Sequence, residues 1–328
     1  MSKPVVEEVL PQLFRAEIPL PRNPLKAVNS YIIRDRERSL VIDTGMNRDE
    51  CREAMMAALK ELQVDLRRTD LYITHMHVDH LGLAVMLARP NSRIHFNRPD
   101  AEILARDNVW EFLFQAAARH GFPHEELKEA LARHPANRYG FADRLDFTLL
   151  QEGDRLAYGP YEFTCVHTPG HTPGHLCLYE PSRKLLISGD HILGDITPNI
   201  AAWDERENSL RVYLESLEKV YRMEMDIILP GHRGIVYNGR DRILELKRHH
   251  EERLQEVLSI MKSSGPGSAY EIAGQMKWDF NARGWEQFPL VQKWFATGEA
   301  VAHLRYLEEA GAIRREERDG ALIFHLNS

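Results

Sequence analysis

The sequence is poor in cysteine. Cys51, Cys165 and Cys177 are the only three in 328 residues, and no two of them form a Cys-x-x-Cys pair. An odd number without that spacing argues against a disulfide framework and favours a reducing compartment. We therefore expect all three thiols to behave as small buried groups.

Positive charge and long apolar runs are also scarce. The formal net charge of -7 argues against nonspecific polyanion binding as the main task. No apolar run is long enough to span a bilayer, and residues 1–8 lack the apolar core of a signal peptide. These absences lead us to expect a cytoplasmic protein without a membrane partner.

What is present is enough apolar material for a substantial core. Hydrophobic residues make up 43% of the chain, and its length allows one large domain and a small one. From residue 5 to residue 43, short apolar runs alternate with turns, which predicts antiparallel strands. Residues 49–62 carry apolar side chains at helical spacing.

Metal-ligand side chains crowd into one short stretch. His75, His77, Asp79 and His80 fall within six residues, directly after the apolar segment 71–73 and Thr74. Segment 71–73 is typical of a buried strand, so the polar run lies where a strand opens into a loop. Imidazole nitrogens and carboxylate oxygens are ligands that zinc, iron and manganese share. The stretch therefore predicts a metal site.

The pattern His75-x-His77-x-Asp79-His80 resembles the signature of the metallo-β-lactamase superfamily of binuclear metallohydrolases. Three later segments resemble the other ligand positions of that family. His171 follows the first of two Pro-Gly turns, Asp190 follows an apolar strand and a glycine, and His232 ends Pro230-Gly231-His232. Each lies where a strand gives way to a turn, which places all of them at one edge of a sheet sandwich.

The resemblance implies two divalent metal ions and seven ligands. We expect zinc, with iron or manganese left open. Asp79 and Asp190 are the expected catalytic carboxylates, and Asp79 could also help to move a proton. The ligands are His75, His77 and His171 for one metal, Asp79, His80 and His232 for the other, and Asp190 as the bridge.

Asp43 lies in a segment, residues 40–45, that resembles the family strand closing in Asp-Thr-Gly. Two interpretations stay open at this point. Asp43 either supports the metal loop as a hydrogen-bond acceptor or serves only as a turn carboxylate.

The implied fold class is α+β, a four-layer αββα metallo-β-lactamase sandwich spanning residues 1–262. Residues 99–146 read as a helical insertion that forms a lid or pocket wall. Residues 263–328 read as a winged-helix-like domain with short helices at 269–276, 291–295 and 300–310, then a hairpin turning at Asp319-Gly320. This arrangement resembles the branch that contains the β-lactamase-like endoribonuclease of mitochondria.

The charge of the last segment bears on its partners. Residues 265–328 hold seven Lys or Arg against nine Asp or Glu. Phosphate contacts need cations, so nucleic acid is disfavoured and a packing or homodimerisation role is favoured.

The leading hypothesis is hydrolysis of a small ester, thioester or lactone. Water held between two dications loses a proton near neutral pH, and the hydroxide bridging the metals attacks the substrate carbonyl. One alternative is a single-strand-directed endoribonuclease. Another is an iron-dependent redox or oxygen-transfer enzyme on the same fold.

Overall fold

The computed structural model describes residues 6–139, 145–202, 204, 208–279 and 284–327. Its largest sheet has seven strands whose spatial order follows the chain. Neighbouring strands are antiparallel from the first to the fourth and parallel from the fourth to the seventh. The strands are β1 (Val6–Leu10), β2 (Leu13–Pro19), β3 (Ala27–Ile33), β4 (Ser39–Ile42), β5 (Thr69–Tyr72), β6 (Ile94–Asn97) and β7 (Thr148–Leu150).

A second sheet has five strands, and its order is again that of the chain, reversed. All neighbours are antiparallel except the last two, which are parallel because a helix intervenes between them. The strands are β8 (Arg155–Tyr158), β9 (Tyr161–His167), β10 (Leu176–Glu180), β11 (Leu185–Gly189) and β12 (Ile227–Pro230).

The two sheets share one apolar core. Tyr31 and Tyr72 from the first sheet and Phe163, Leu178 and Ile187 from the second belong to the same buried cluster. Alternate residues of each strand point inward, so two sheets can bury one face each against the other. This confirms the α+β sandwich that the sequence predicts.

Eleven helices are found among the described residues. Helix α1 buries Cys51, Met55 and Leu59 and packs on β2. The helices are α1 (Asp49–Glu61), α2 (Val78–Leu81), α3 (Ala84–Leu87), α4 (Arg98–Leu104), α5 (Val109–Arg119), α6 (His124–Arg133), α7 (Pro135–Tyr139), α8 (Ser209–Tyr221), α9 (Gly239–Ser264), α10 (Ala269–Ala273) and α11 (Leu290–Glu309).

Contacts divide the chain into two compact units. The first comprises residues 1–105, 139–198 and 219–242, and the second comprises residues 106–138, 199–218 and 243–328. Much of the expected insertion therefore belongs with the C-terminal residues, where Phe122 and Leu127 are buried in one cluster with Trp294. The domain boundaries 1–262 and 263–328 stay a prediction, as does a lid over the metal site.

The end of the chain differs from the expected pattern in one respect. The sequence predicts separate helices at 291–295 and 300–310, but this is wrong, because α11 runs unbroken from Leu290 to Glu309. Gly298 lies between the two expected helices. The helix is buried along most of its length, and tertiary packing outweighs the cost of one interior glycine.

The hairpin that follows is the expected one. Strands β13 (Ile313–Arg318) and β14 (Ala321–Leu326) pair antiparallel. Asp319 and Gly320 between them both have positive φ, as a two-residue type I′ turn requires.

Two expected absences can be compared with the structure. All three cysteines are buried and none forms a disulfide, as predicted. Over the described ranges, none of the helices combines the length and the hydropathy that crossing a bilayer requires.

Candidate metal centre

Three histidines predicted to bind one metal lie together. His75 Nε2 and His171 Nε2 are each 3.0 Å from His77 Nδ1. His75 and His77 come from the loop after β5, and His171 comes from the loop between β9 and β10. His75 is buried, whereas His77 and His171 are partly exposed. These three nitrogens can ligate a single ion, and the centre faces solvent on their side.

The ligands predicted for the other metal also converge. Potential ligand atoms of Asp79, His80 and His232 lie within 4.8 Å of one another. His232 Nε2 is 3.4 Å from Asp79 Oδ2. Asp79 and His80 lie on the short helix α2 after β5, and His232 follows β12, so segments after strands of both sheets supply this group.

Asp190 lies between the two groups. Its Oδ2 is 3.6 Å from His171 Nε2 and 3.4 Å from His232 Nε2. Its Oδ1 is 3.5 Å from His80 Nε2. A carboxylate has two oxygens, so this position suits the bridging role that the sequence suggested.

Hydrogen bonds orient three of the imidazoles. The Nδ1 atom of His80 lies 2.8 Å from Asp43 Oδ2, and that of His232 lies 2.6 Å from the carbonyl oxygen of Ala27. The Nδ1 atom of His75 lies 3.0 Å from Thr74 Oγ1, whose hydroxyl proton is directed to Asp43. In each case Nδ1–H donates outward, which directs Nε2 into the centre.

Asp43 adopts the supporting role rather than serving only as a turn residue. Besides His80, its carboxylate accepts from the backbone N–H and the hydroxyl of Thr74. Its φ of 57° lies in the left-handed region, which aspartate tolerates better than most residues. The sequence signal was the Asp-Thr-Gly segment, which left this question open.

Asp100 is a buried residue that sequence reasoning missed. It lies in the first turn of α4, inside the stretch assigned to the insertion, and four N–H or O–H groups donate to its carboxylate. Burial raises its pKa, and these donors oppose that effect. A single aspartate after Asn97 carries no sequence signal beyond that of a helix cap.

Burial and charge set the protonation of the ligands. Burial lowers the pKa of His77 to about 3 and that of His75 well below its usual value, so both are neutral near pH 7. Burial also disfavours the His232 cation, but Asp190 and Asp79 outweigh it and raise the pKa of His232 to about 10. One group is thus made of neutral imidazoles, while the carboxylates of the other favour a cation.

Unpartnered polar atoms test whether a metal fits. His80 Nε2, His232 Nε2 and Asp190 Oδ1 are buried, and among the described residues none has a hydrogen-bond partner. Buried polar atoms without partners are costly, and these three all face the centre. Nitrogen and carboxylate oxygen are the donors that divalent transition metals take. The residues fit two such ions.

The remaining histidines near the centre have structural contacts. His175 Nε2 accepts from the backbone N–H of Asp190, and its Nδ1 lies 2.8 Å from Thr168 Oγ1, as expected of a buried hydrogen-bonding residue. His167 Nε2 lies 3.0 Å from the carbonyl oxygen of Pro173. His191 is buried beside Asp190 but belongs to none of the potential ligand groups found in the described part of the chain.

Comparison with known proteins agrees with this geometry. Residues 23–232 match the family described as "Metallo-beta-lactamase superfamily", and residues 254–327 match "Metallo-beta-lactamase-like, C-terminal domain". The chain belongs to the metallo-β-lactamase superfamily. Both the fold and the C-terminal match agree with what the sequence motifs implied.

Relatives within the superfamily include hydrolases. The chain is 25% identical to the human acyl-coenzyme A thioesterase MBLAC2 over 68% of its own length and 78% of that protein. It is 30% identical to the hydroxyacylglutathione hydrolase GloC of Haemophilus influenzae over 65% of its own length and 88% of that protein. Superfamily and relatives together identify this chain as a hydrolase.

A solved structure matches nearly the whole chain. A metallo-beta-lactamase family protein from Thermus thermophilus is similar to it, with a TM-score of 0.82 and 26% identity, over 98% of this chain and 100% of that one. The architecture, including the C-terminal segment, therefore also occurs in that bacterial protein.

Proposed function

We propose that the protein is a metal-dependent hydrolase of small thioesters. The observation that carries the proposal is the convergence of seven nitrogen and carboxylate donors, with the Nε2 atoms of three histidines oriented inward. Two relatives, named for acyl-coenzyme A and hydroxyacylglutathione hydrolysis, favour thioesters over the other acyl substrates.

The proposed ligands are those of the two groups and the carboxylate between them. His75, His77 and His171 would hold one ion, Asp79, His80 and His232 the other, and Asp190 would contact both. Two divalent ions, which we expect to be zinc, would lower the pKa of water toward roughly 7 and stabilise negative charge on the carbonyl oxygen.

The residues of the chain then divide the remaining work. Asp79, besides its proposed role as a ligand, would take a proton from the attacking water as the new carbon–oxygen bond forms. The carbon–sulfur bond breaks, and the proton passes to the leaving thiolate, so that acid and thiol are released. Asp190 would hold the two ligand groups at a fixed distance from each other.

An activity panel on the full-length chain tests the proposal. We expect release of free thiol from acyl-coenzyme A and acylglutathione substrates, measured with a thiol-reactive chromophore. Pre-treatment with a strong chelator should abolish the activity, and added zinc should restore it. Oxygen esters and lactones serve as comparison substrates under the same conditions.

The same preparation separates the alternatives. Metal-dependent cleavage of labelled single-stranded RNA without acyl turnover would favour the endoribonuclease. Oxygen consumption that depends on bound iron would favour the redox enzyme. Thiol release that survives complete metal removal would contradict the proposed mechanism.

A further inference from the structure

The buried carboxylate of Asp100 joins two loops that carry metal ligands. Its Oδ2 accepts from the backbone N–H of Met76 at 3.0 Å and from the hydroxyl of Thr172 at 2.8 Å. Its Oδ1 accepts from the backbone N–H of Gly174 at 2.8 Å. Asn97 donates a further, longer bond to Oδ2.

The donors are adjacent to the ligands of one group. Met76 lies between His75 and His77, and Thr172 directly follows His171. One side chain therefore fixes both backbones from which the three histidines project. Three of its four hydrogen bonds go to these two loops, so the link does not depend on a single contact.

Close packing at the same point supports the link. A Cβ atom on Gly174 would lie 1.7 Å from Asn97 Oδ1 and 2.8 Å from the backbone nitrogen of Asp100. Only glycine lets the loop approach the start of α4 this closely. The short distance from Gly174 to Asp100 therefore requires a glycine at position 174.

The other ligand group has its own supports. His80 is oriented by Asp43, and His232 by the carbonyl oxygen of Ala27. Asp100 accepts no hydrogen bond from Asp79, His80 or His232 in the described part of the chain. Asp43 supports His80 directly and His75 through Thr74, whereas the loop contacts of Asp100 lie on the side of the three-histidine group.

We propose that Asp100 is the positioning residue of the three-histidine group and thereby sets the affinity for one of the two metal ions. Among the described residues it belongs to none of the potential ligand groups, and it acts through Met76, Thr172 and Gly174. This inference rests on the proposed metal-dependent function.

Asp100→Asn is the main test. An amide has only one acceptor oxygen, so its NH₂ group must face at least one of the N–H or O–H donors that now bind Asp100. We expect one of the two stepwise zinc dissociation constants to rise about 10- to 100-fold, the range seen when groups supporting metal ligands are lost. The other constant should change less than about threefold. Competition with a chromogenic chelator measures both.

Variants at Thr172 keep the test decisive if Asp100→Asn does not fold. Thr172→Val removes only the hydroxyl that donates to Asp100. We expect Thr172→Val to raise the same zinc dissociation constant by a smaller factor. Thr172→Ser keeps a hydroxyl and should bind zinc as the parent protein does. With cobalt in place of zinc, the absorption bands of one site should shift while those of the other stay constant.

Asp70→Asn is the matched control. Asp70 is also buried in the first unit and accepts from Arg38, Arg93 and Tyr158, but in the part of the chain that the structure describes it has no hydrogen bond to either ligand loop. We expect it to lower the melting temperature and leave both zinc constants unchanged.

The outcomes distinguish the two proposals. If the parent protein binds two zinc ions and Asp100→Asn and Thr172→Val leave both constants unchanged, or weaken both equally, the role of Asp100 is refuted while the metal site stands. If the parent protein binds no zinc, the proposed function itself fails.

Discussion

The proposed bridging role of Asp190 rests on a few side-chain contacts. Its two oxygens lie within 3.6 Å of ring nitrogens from His80, His171 and His232. No other described carboxylate contacts both ligand groups in this way. The two halves of the site are therefore joined through one residue.

Replacing that residue should disable the enzyme. We expect Asp190→Ala to lower kcat/KM for the best thioester at least about 100-fold, because the two proposed ions would lose their shared ligand. Steady-state thiol release measures this, and far-ultraviolet circular dichroism checks the fold. A variant as active as the parent would remove the binuclear mechanism.

Gly231 shows how little room surrounds the centre. A Cβ atom there would lie 2.4 Å from Asp190 Oδ1 and 2.8 Å from His80 Cε1, so both ligands would have to move. We expect Gly231→Ala to lower kcat/KM roughly 100-fold, since misplacing catalytic groups by about 1 Å has effects of that size. The same thiol-release assay measures the loss.

Gly234 offers the matched control in the same loop. A Cβ atom there meets no atom within 4 Å. Gly234→Ala should keep its activity within about twofold of the parent, because no ligand has to move. Equal losses in the two variants would indicate a loop effect rather than a clash with the ligands.

At the scale of secondary structure, every ligand lies in a segment that directly follows a strand. The ligand loops follow β5, β9, β11 and β12, which belong to two sheets that share one core. Since a strand held in a sheet has a fixed end, the loop after it starts from a fixed point. The rigidity of the sandwich is thus transmitted to the ligands.

The short helix α10 depends on its first turn. Ser268 Oγ accepts from the backbone N–H of Glu271, and the Glu271 carboxylate accepts from the backbone N–H of Ser268. We expect Ser268→Ala to lower the free energy of unfolding of the second unit by about 1 kcal/mol. Urea unfolding followed by tryptophan fluorescence reports it, because Trp110, Trp278, Trp285 and Trp294 lie in that unit.

Ser263→Ala is the control for this helix. Ser263 is exposed near the end of α9, and among the described residues its hydroxyl has one hydrogen bond, to the carbonyl oxygen of Ile260. We expect no measurable change in the same experiment. A similar loss in both variants would contradict the capping role of Ser268.

At the scale of the whole molecule, buried histidines make stability depend on pH. Burial lowers the pKa of His120 and His303 to about 3, that of His134 to about 4, and that of His250 well below its usual 6.5. All four belong to the second unit. In the folded chain they stay neutral at mildly acidic pH.

Below pH about 6.5 these histidines bind protons in the unfolded chain but stay neutral in the folded chain. The free energy of unfolding should therefore fall as the pH drops from about 6.5 toward 4, by about 1.4 kcal/mol per pH unit for each histidine that stays neutral in the folded chain. Urea titrations at several pH values, followed by tryptophan fluorescence, measure the slope.

His120→Phe isolates one contribution. It removes one titrating group, so the slope should decrease by about 1.4 kcal/mol per pH unit, whatever the variant does to stability at pH 8. A parent protein equally stable at pH 7 and pH 5 would show that these histidines are not buried as neutral groups.

The sequence alone indicated many of the strands and the metal chemistry, and the family resemblance of its motif implied the sandwich. Short apolar runs separated by turns indicated strands, and His75-x-His77-x-Asp79-His80 indicated the metal chemistry. Both signals come from residues that are neighbours in the chain. The same local reasoning divided α11 wrongly around Gly298, since burial by distant residues keeps that helix continuous.

Tertiary structure decided what acts across the chain. Only folding shows that Asp43 orients His80 and that Asp100 joins the loops of Met76 and Thr172. These partners lie between 24 and 72 residues apart. A carboxylate carries the same chemistry wherever it stands in a sequence, and its partners are fixed only when the sheets bring distant segments within hydrogen-bonding distance.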